Sequence, residues 1–479
     1  MTDSGLPAGG GAGNENTDGI GGSLRVDPEV LARYNRPGPR YTSYPTAPQF
    51  EDSFGSQAYA ERLAVANGRA ADPLSLYVHI PFCEHRCLYC GCHVVITRRE
   101  DIVRNYLDHL AKEIRMVADA LPDRRDVLQL HWGGGTPTHL SPDEIRELFG
   151  VLTENFRLIP GSEVAIEIDP RVTSHEHVDV LREVGFNRLS MGVQDFTPKV
   201  QEAVERNQSL EQTQELIAYC RSQGFTEFNI DLIYGLPFQT VEHFEQSARE
   251  VLALEPGRVA VYSYAHVPWI KPQQKKMDES ALPDAKTKFA LFASAISTFT
   301  EAGYVQIGMD HFARPDDELA RARVAGTLTR NFMGYTVKAA PDMVAFGISG
   351  IGEVRGAFAQ NAKKLTSYYR ALDEGNFPVE RGYVLDDDDR IRQFVIRSIM
   401  CNFELDFDLL KERFGVEYEE YFADEDRSLQ ETIEASFFSR EPRRLSIRPQ
   451  GQLFVRNICM LFDRYLEAGG QSGVYSKTI

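Results

Sequence analysis

Short β-rich apolar runs alternate with segments of helical period from residue 74 to about 308, and this alternation restricts the fold more than any other feature of the chain. The apolar runs are LSLYVHI (74–80), VLQLHW (127–132), VAIEI (164–168), NRLSMGV (187–193), FNIDLIY (228–234) and RVAVYSY (258–264), with a weaker seventh, YVQI, at 304–307. Helical segments between and after them cover 101–121, 141–156, 174–185, 210–224, 240–254 and 284–303. Several carry end signals. Ser141, Pro142 and Glu144 form a capping-box pattern, and Gly185, Gly224 and Gly303 follow helix ends. Repeated β–α units imply a parallel sheet with helices outside. Six or seven units predict an α/β fold, a partial or near-complete (β/α) barrel, with an open doubly wound sheet as the alternative.

The flanks differ from this core. Residues 1–24 hold almost no large apolar side chains and are expected to be disordered. An N-terminal arm, 25–71, contains NRPGPRYTSYPT (35–46), whose three prolines exclude a regular helix and predict a structured loop lying on another part of the molecule. The barrel with its extension occupies 72–384. From 385 to 479 the pattern becomes that of a small α+β, winged-helix-like unit. The acidic run at 386–389 argues against DNA binding there and for a packing or lid role. With 52 Lys and Arg against 70 Asp and Glu, the net charge of −18 repels nucleic acid as a whole. No apolar run is long enough to span a membrane, and the N-terminus has no signal-peptide pattern, so a cytoplasmic location is expected, and the acidic surface suits a monomer.

Four of the seven cysteines, Cys83, Cys87, Cys90 and Cys92, fall within ten residues. The other three, Cys220, Cys401 and Cys459, are scattered and read as small buried hydrophobes. A CxxxCxxC loop can hold three irons of a cubane cluster and leave the fourth open. A zinc site usually takes ligands in two spaced pairs, and a disulfide framework suits exported chains, so both fit less well. The unusual residues gather where strands end, as chemistry does in parallel α/β folds. The cysteine loop follows the first run, GGGTPT (133–138) the second, Glu167 and Asp169 the third, and Gln194 and Asp195 the fourth. Asp231 lies in the fifth run, and Ala265 and His266 end the sixth. Glycines at 133–135 admit close backbone approach to a ligand. Glu167, set in an apolar strand, needs a partner. His79 reads as a satisfied strand residue, and His85 as a loop residue with no evident partner.

CxxxCxxC after a first strand, with GGGTP after the second, resembles the radical S-adenosylmethionine (SAM) superfamily. RYTSYPT (40–46), LSLYVHIPFC (74–83), YCGC (89–92), LHWGGGTPT (130–138), GFNRLSMGVQDF (185–196), NIDLIYGLP (229–237), YAHVP (264–268), GMDHFARPDDELA (308–320), RNFMGYT (330–336), CNFELDF (401–407) and RNICMLFDRYL (456–466) together resemble the oxygen-independent coproporphyrinogen III dehydrogenases of haem synthesis. The resemblance covers about residues 25–479. It implies a radical SAM barrel with a [4Fe–4S] cluster on Cys83, Cys87 and Cys90. The open iron would bind SAM, with Tyr77, Gly134 and Glu167 beside it. A second SAM is implied at Tyr89, Gly135, Thr136, Gln194, Arg206, Asp231, Ala265 and Ile351. Cys92 matches a cysteine that the family needs for activity but does not use as a ligand. Reductive cleavage of SAM would give a radical that oxidatively decarboxylates two propionates of coproporphyrinogen III to vinyl groups, with electrons from a low-potential donor. Four substrate carboxylates call for cations, and Arg36, Arg40 and Arg314 are candidates, with solvated surface arginines as the alternative reading of each. Tyr41 and Tyr44 either cover the macrocycle or pack the arm. Trp269 leaves the pocket wall after YAHVP open, and Gly352 does the same for the backbone course of the GISGIG loop. Haem chaperones and haem-acting radical SAM methyltransferases on the same barrel are the alternatives; the chaperones resemble the chain in CxxxCxxC and GGGTP but typically lack the fourth cysteine and the arm.

Overall fold

The computed structural model describes residues 27–467 and 475–478, so the expected disordered leader lies outside the described residues. Twelve strands form one sheet: β1 (Leu74–Ile80), β2 (Asp126–Gly134), β3 (Arg157–Ile168), β4 (Arg188–Gln194), β5 (Glu227–Tyr234), β6 (Arg258–Ser263), β7 (Val305–Gln306), β8 (His311–Ala313), β9 (Asp342–Phe346), β10 (Ile351–Val354), β11 (Ala357–Asn361) and β12 (Val379–Val384). Their spatial order is β12-β11-β10-β9-β1-β2-β3-β4-β5-β6-β8-β7. The run from β9 through β1 to β6 is parallel throughout. Antiparallel strands extend both edges. The edge strands β7 and β12 do not pair with each other, so the barrel is partial. Six of the seven residues of β1 are buried, as expected of a central strand covered on both faces.

One expectation fails in an instructive way. YVQI supplies only the two-residue antiparallel edge strand β7, not a seventh parallel unit. The seventh parallel strand is β9, which lies on the far side of β1 with Leu74 opposite Asp342. A buried ion pair fixes its start. Arg124 donates to Asp342 at 2.5 Å and to the carbonyls of Ala66, Asp72 and Pro73. A guanidinium with every partner in place tolerates burial that an unpaired one would not.

Helices α1 (Glu100–Ala120), α2 (Pro142–Asn155), α3 (His175–Val184), α4 (Leu210–Ser222), α5 (Val241–Ala253) and α6 (Ala285–Glu301) follow the strands. The capping box of α2 forms: Ser141 Oγ accepts the Glu144 N–H at 3.3 Å, and Glu144 Oε2 accepts the Ser141 N–H at 2.8 Å. Gly185 ends α3 at φ 111°, where a side chain would be strained.

The apolar stripe of α1 (Val103, Tyr106, Leu107, Leu110, Ile114, Val117) contains one charged member, Glu113. Its carboxylate accepts from the Gly347 N–H (2.8 Å), Asn361 Nδ2 (2.6 Å) and the Tyr368 hydroxyl (2.6 Å). These bonds fasten the loop between β9 and β10. Burial pushes the Glu113 carboxyl from 4.5 up to about 7, against those same hydrogen bonds. The folded protein therefore holds this proton more tightly than the unfolded chain, and stability falls as pH rises from about 4.5 to about 7. In Glu113→Gln that loss disappears. The stability of the variant relative to the parent should rise by on the order of 3 kcal/mol between pH 4.5 and pH 8. Guanidinium denaturation at the two pH values checks this, and an unchanged difference contradicts it.

In the arm, Tyr41 and Tyr44 are buried, and the packing role is the one they take. The Tyr41 hydroxyl donates to Asp463 at 2.9 Å, and Tyr44 packs on Tyr465. Arg456 donates to the carbonyls of Gly38 and Pro39. A single apolar core joins Leu31, Tyr34, Tyr41 and Tyr44 to Phe289 and Ile307 at the barrel edge and to Ile396, Phe403 and Phe462 beyond it. Those last residues belong to an α+β unit: α7 (Asp387–Asn402) and the antiparallel strands β13 (Glu404–Asp406), β14 (Phe438–Glu441) and β15 (Arg444–Ile447), with β15 central. The acidic run caps α7. Asp386 accepts the Asp389 N–H at 2.7 Å, and Arg464 bonds Asp386 and Asp388. Part of its charge thus serves the helix N-terminus, and Asp387 remains exposed.

Candidate active site

The cysteine loop leaves β1 and is closed at its base by a short parallel pair, Phe82–Cys83 against Val95–Ile96. Val95 N–H donates to the Pro81 carbonyl and Thr97 N–H to that of Cys83. The end of β2 lies against this base. Gly135 N–H donates to the Ile80 carbonyl and Thr136 N–H to that of Phe82, both at 2.8 Å. A Cβ on Gly135 would stand 2.6 Å from the Pro81 carbonyl carbon and oxygen. The glycine is required by contact between backbones. Thr136 Oγ1 lies 3.4 Å from Cys83 Sγ.

A cavity of about 240 Å³ opens beside the loop, walled by Tyr77, His79, Cys92, His93, Gly134, Glu167, Phe332, Ser349, Gly350 and Ile351. Five predicted site residues, Tyr77, Cys92, Gly134, Glu167 and Ile351, thus share one chamber. The Glu167 partner that the sequence demanded is double: His131 Nε2 at 3.4 Å and the Gly134 N–H at 3.1 Å. Burial raises the Glu167 carboxyl, but these two contacts outweigh it and hold it below the ordinary value. His79 lies between Tyr77 and the carbonyl of His93, each 3.0 Å away. A carbonyl can only accept, so Nε2 carries the proton and Nδ1 accepts from the Tyr77 hydroxyl. Burial lowers the His79 imidazole to about 4, which keeps it neutral.

Of the residues expected at a second SAM, Ile351 lines this cavity, and the others are not among its walls. Arg206 is buried; it donates to Asp169 at 3.1 Å, the Gly192 carbonyl at 2.6 Å, Gln208 at 3.1 Å and Cys87 Sγ at 3.8 Å. Gln194 has φ 74°, and its Oε1 is buried without a partner. A strained backbone and an orphaned acceptor in one residue suit a ligand position. Asp231 accepts from Asn229 at 2.7 Å, and burial together with the Glu167 charge pushes it up to about 7. Gln274 ties the carbonyls of Tyr89 and Ala265 together, each at 3.1 Å, and Gln273 and Lys271 hold those of Cys90 and Cys92. No motif reading marked Lys271, Gln273 or Gln274.

Two expectations, for Arg314 and His85, need correction. Arg314 lies beside Gly257 at the N-terminal end of β6, away from the cysteine loop, and pairs with Asp316 on the surface. It is not at the site. His85 does have a partner, Arg98 Nη2 at 2.7 Å. The backbone course at Gly352 is that of strand β10, where a Cβ would strike the Met343 carbonyl at 2.6 Å. Arg40 reaches the end of β6 and donates to the Ser263 carbonyl at 2.5 Å. Trp269 is 57% exposed.

The Radical SAM superfamily model matches residues 77–251, and the HemN C-terminal domain model matches 385–454. The oxygen-independent coproporphyrinogen III oxidase of Salmonella typhimurium is 44% identical over 453 residues, covering 95% of this chain and 98% of its own. The chain belongs to the oxygen-independent coproporphyrinogen III oxidase family. The enzyme of that name from Synechocystis is 41% identical over 461 residues. A solved structure titled as the coproporphyrinogen III oxidase (HemN) of Escherichia coli, a radical SAM enzyme, superposes with a TM-score of 0.88. It is 42% identical and covers 93% of this chain and all of its own.

The thiols of this oxidase-family chain fit a cluster. All seven cysteines are free, and Cys83, Cys87 and Cys90 share one short loop. Among the described residues, no three His, Cys, Asp or Glu side chains converge on a single-ion site. Three thiols on different corners of a cubane need not converge.

Proposed function

We propose that this chain converts coproporphyrinogen III to protoporphyrinogen IX without oxygen, by oxidative decarboxylation of two propionates to vinyl groups. The observation that carries this reading is the end-to-end likeness to enzymes of that name, in a chain that keeps the cysteine loop, the glycine loop and the arm together. Cys83, Cys87 and Cys90 would hold a [4Fe–4S] cluster, with Tyr77, Gly134 and Glu167 beside one SAM. Bound there, cluster and SAM supply the one-electron chemistry that removes a hydrogen from the propionate. Glu167, held ionised, suits an ammonium or ribose hydroxyls. The neutral Tyr77–His79 pair adds no charge to the chamber. Tyr89, Gly135, Thr136, Gln194, Arg206, Asp231, Ala265 and Ile351 would receive a second SAM. The free Gln194 acceptor and the partly protonated Asp231 support that assignment. A low-potential electron donor would supply electrons to a cytoplasmic monomer. The thiols, free throughout, accord with a reducing compartment.

Anaerobically reduced protein given SAM and coproporphyrinogen III should yield protoporphyrinogen and 5′-deoxyadenosine. Tight haem binding without decarboxylation would overturn the reading. Cys92 faces the cavity, is exposed, and is left over from the ligand triplet. Cys92→Ser should keep its iron and lose about 10²–10⁴-fold in decarboxylation, the range for a positioned proton donor. Full activity in that variant removes Cys92 from the mechanism.

A further inference from the structure

Two of the proposed ligand sulfurs, those of Cys83 and Cys87, sit in unequal surroundings. Cys83 Sγ lies 3.4 Å from the Thr136 hydroxyl. Cys87 faces two guanidinium groups: Arg171 Nη2 at 3.7 Å and Arg206 Nη1 at 3.8 Å. Both are aimed by Asp169. Asp169, Pro170 and Arg171 turn at the end of β3 so that Asp169 Oδ1 accepts both the backbone N–H and the Nε–H of Arg171, each at 3.0 Å. Oδ2 accepts Arg171 Nη2 at 2.6 Å and Arg206 Nη1 at 3.1 Å. The carboxylate is 9% exposed and Arg171 21%, so the fork is shielded from solvent. A planar guanidinium gripped along one edge has its remaining N–H direction fixed, which an ammonium in the same place would not.

We propose that Arg171 tunes the cluster through Cys87, donating an aimed, charge-assisted hydrogen bond to that sulfur and so easing one-electron reduction. This rests on Cys87 being a cluster ligand. An N–H donor and a positive charge at a ligating sulfur stabilise the reduced, more negative cluster and raise its potential. Arg206 shares the sulfur but also holds the Gly192 carbonyl and is placed by the reading above against the second SAM. Arg171 is therefore the residue through which the effect can be isolated.

The test is the midpoint potential of the reconstituted cluster, titrated without SAM against mediator dyes and followed by the electron paramagnetic resonance of the singly reduced state. Arg171→Met keeps the stem and removes charge and donors. Its reduction equilibrium should be at least tenfold less favourable, a shift of about 59 mV to lower potential for a one-electron couple. Arg171→Lys keeps the charge without the fork and should fall between the two. A potential equal to that of the parent in whichever variant carries a full complement of four irons overturns the proposal. So does a folded protein that loads no cluster in either variant, because Arg171 would then be a structural member of the loop. Absence of a cluster signal in the parent itself would instead count against Cys87 as a ligand, and the two failures are distinguishable.

Discussion

Cys87→Ser, purified and reconstituted without oxygen, is expected to hold no [4Fe–4S] cluster and to lose more than about 10³-fold in turnover. That exceeds the 10–100-fold typical of residues one layer behind a metal ligand. Serine preserves the size of the side chain, so a loss cannot be put down to packing. What changes is chemistry: serine offers a hard oxygen whose hydroxyl is too weakly acidic to ionise readily, and irons in a cubane select thiolate. The site makes the substitution costlier still. Arg171 and Arg206 both point at this sulfur, and without a thiolate Asp169 alone must balance two guanidinium charges. Cys220→Ala is the matched control. Cys220 is fully buried between apolar neighbours far from the loop, so its loss should lower stability and leave iron content alone. Iron and sulfide analysis with the visible absorption of the cluster reads both. A full cluster in Cys87→Ser would remove that residue from the ligand set.

Gly135→Ala should do comparable damage by a different route. The added methyl would meet the Pro81 carbonyl carbon and oxygen at 2.6 Å and the Phe82 carbonyl oxygen at 2.7 Å. These are backbone atoms of the loop base, not the end of a side chain that can swing aside. Relief requires the end of β2 to part from the loop, breaking the Gly135-to-Ile80 and Thr136-to-Phe82 hydrogen bonds. Overpacking costs about 1–3 kcal/mol, and each lost bond adds about 1 kcal/mol. A destabilisation of roughly 3–5 kcal/mol is expected on these grounds, with cluster content falling further because Cys83 rides on the displaced base. Gly150 is the contrast. It lies within α2, with nothing inside 4 Å of its missing Cβ. Gly150→Ala should stabilise by about 0.5–1 kcal/mol. Denaturant unfolding of the two variants side by side checks both; parent-like stability and iron in Gly135→Ala would refute the close approach.

These sites were legible in unequal measure. The six long parallel strands and the helices between them follow from periodicity and end signals, because burial on two faces imposes continuous apolar runs. β9 did not show. DMVAF is short, and its place beside β1 is fixed by an ion pair to Arg124, more than two hundred residues upstream in the chain. Such pairing leaves no local trace. The cysteine and glycine loops were readable because few other chemistries need those residues at those spacings. Gln273 and Gln274 were not, since a glutamine in a polar stretch looks solvated until the backbone it serves is in place. Glu113 could have been found from sequence alone: it breaks the apolar stripe of α1, and a carboxylate at such a position must have partners. Arg171 left a fainter mark, an Asp-Pro-Arg turn at a strand end.

The shared core of the arm and the C-terminal unit has a consequence for synthesis. Tyr41 finds Asp463 across 422 positions of chain, and Arg456 finds Gly38 across 418. The parallel strands pair mostly with near neighbours in sequence and can assemble as they emerge from the ribosome. The arm leaves the ribosome early, and its tyrosines meet their C-terminal partners only when almost the last codons are read. Translation order therefore builds the parallel sheet first and the core that buries the arm last, and a chain terminated before residue 456 would lack the Arg456 bonds to Gly38 and Pro39.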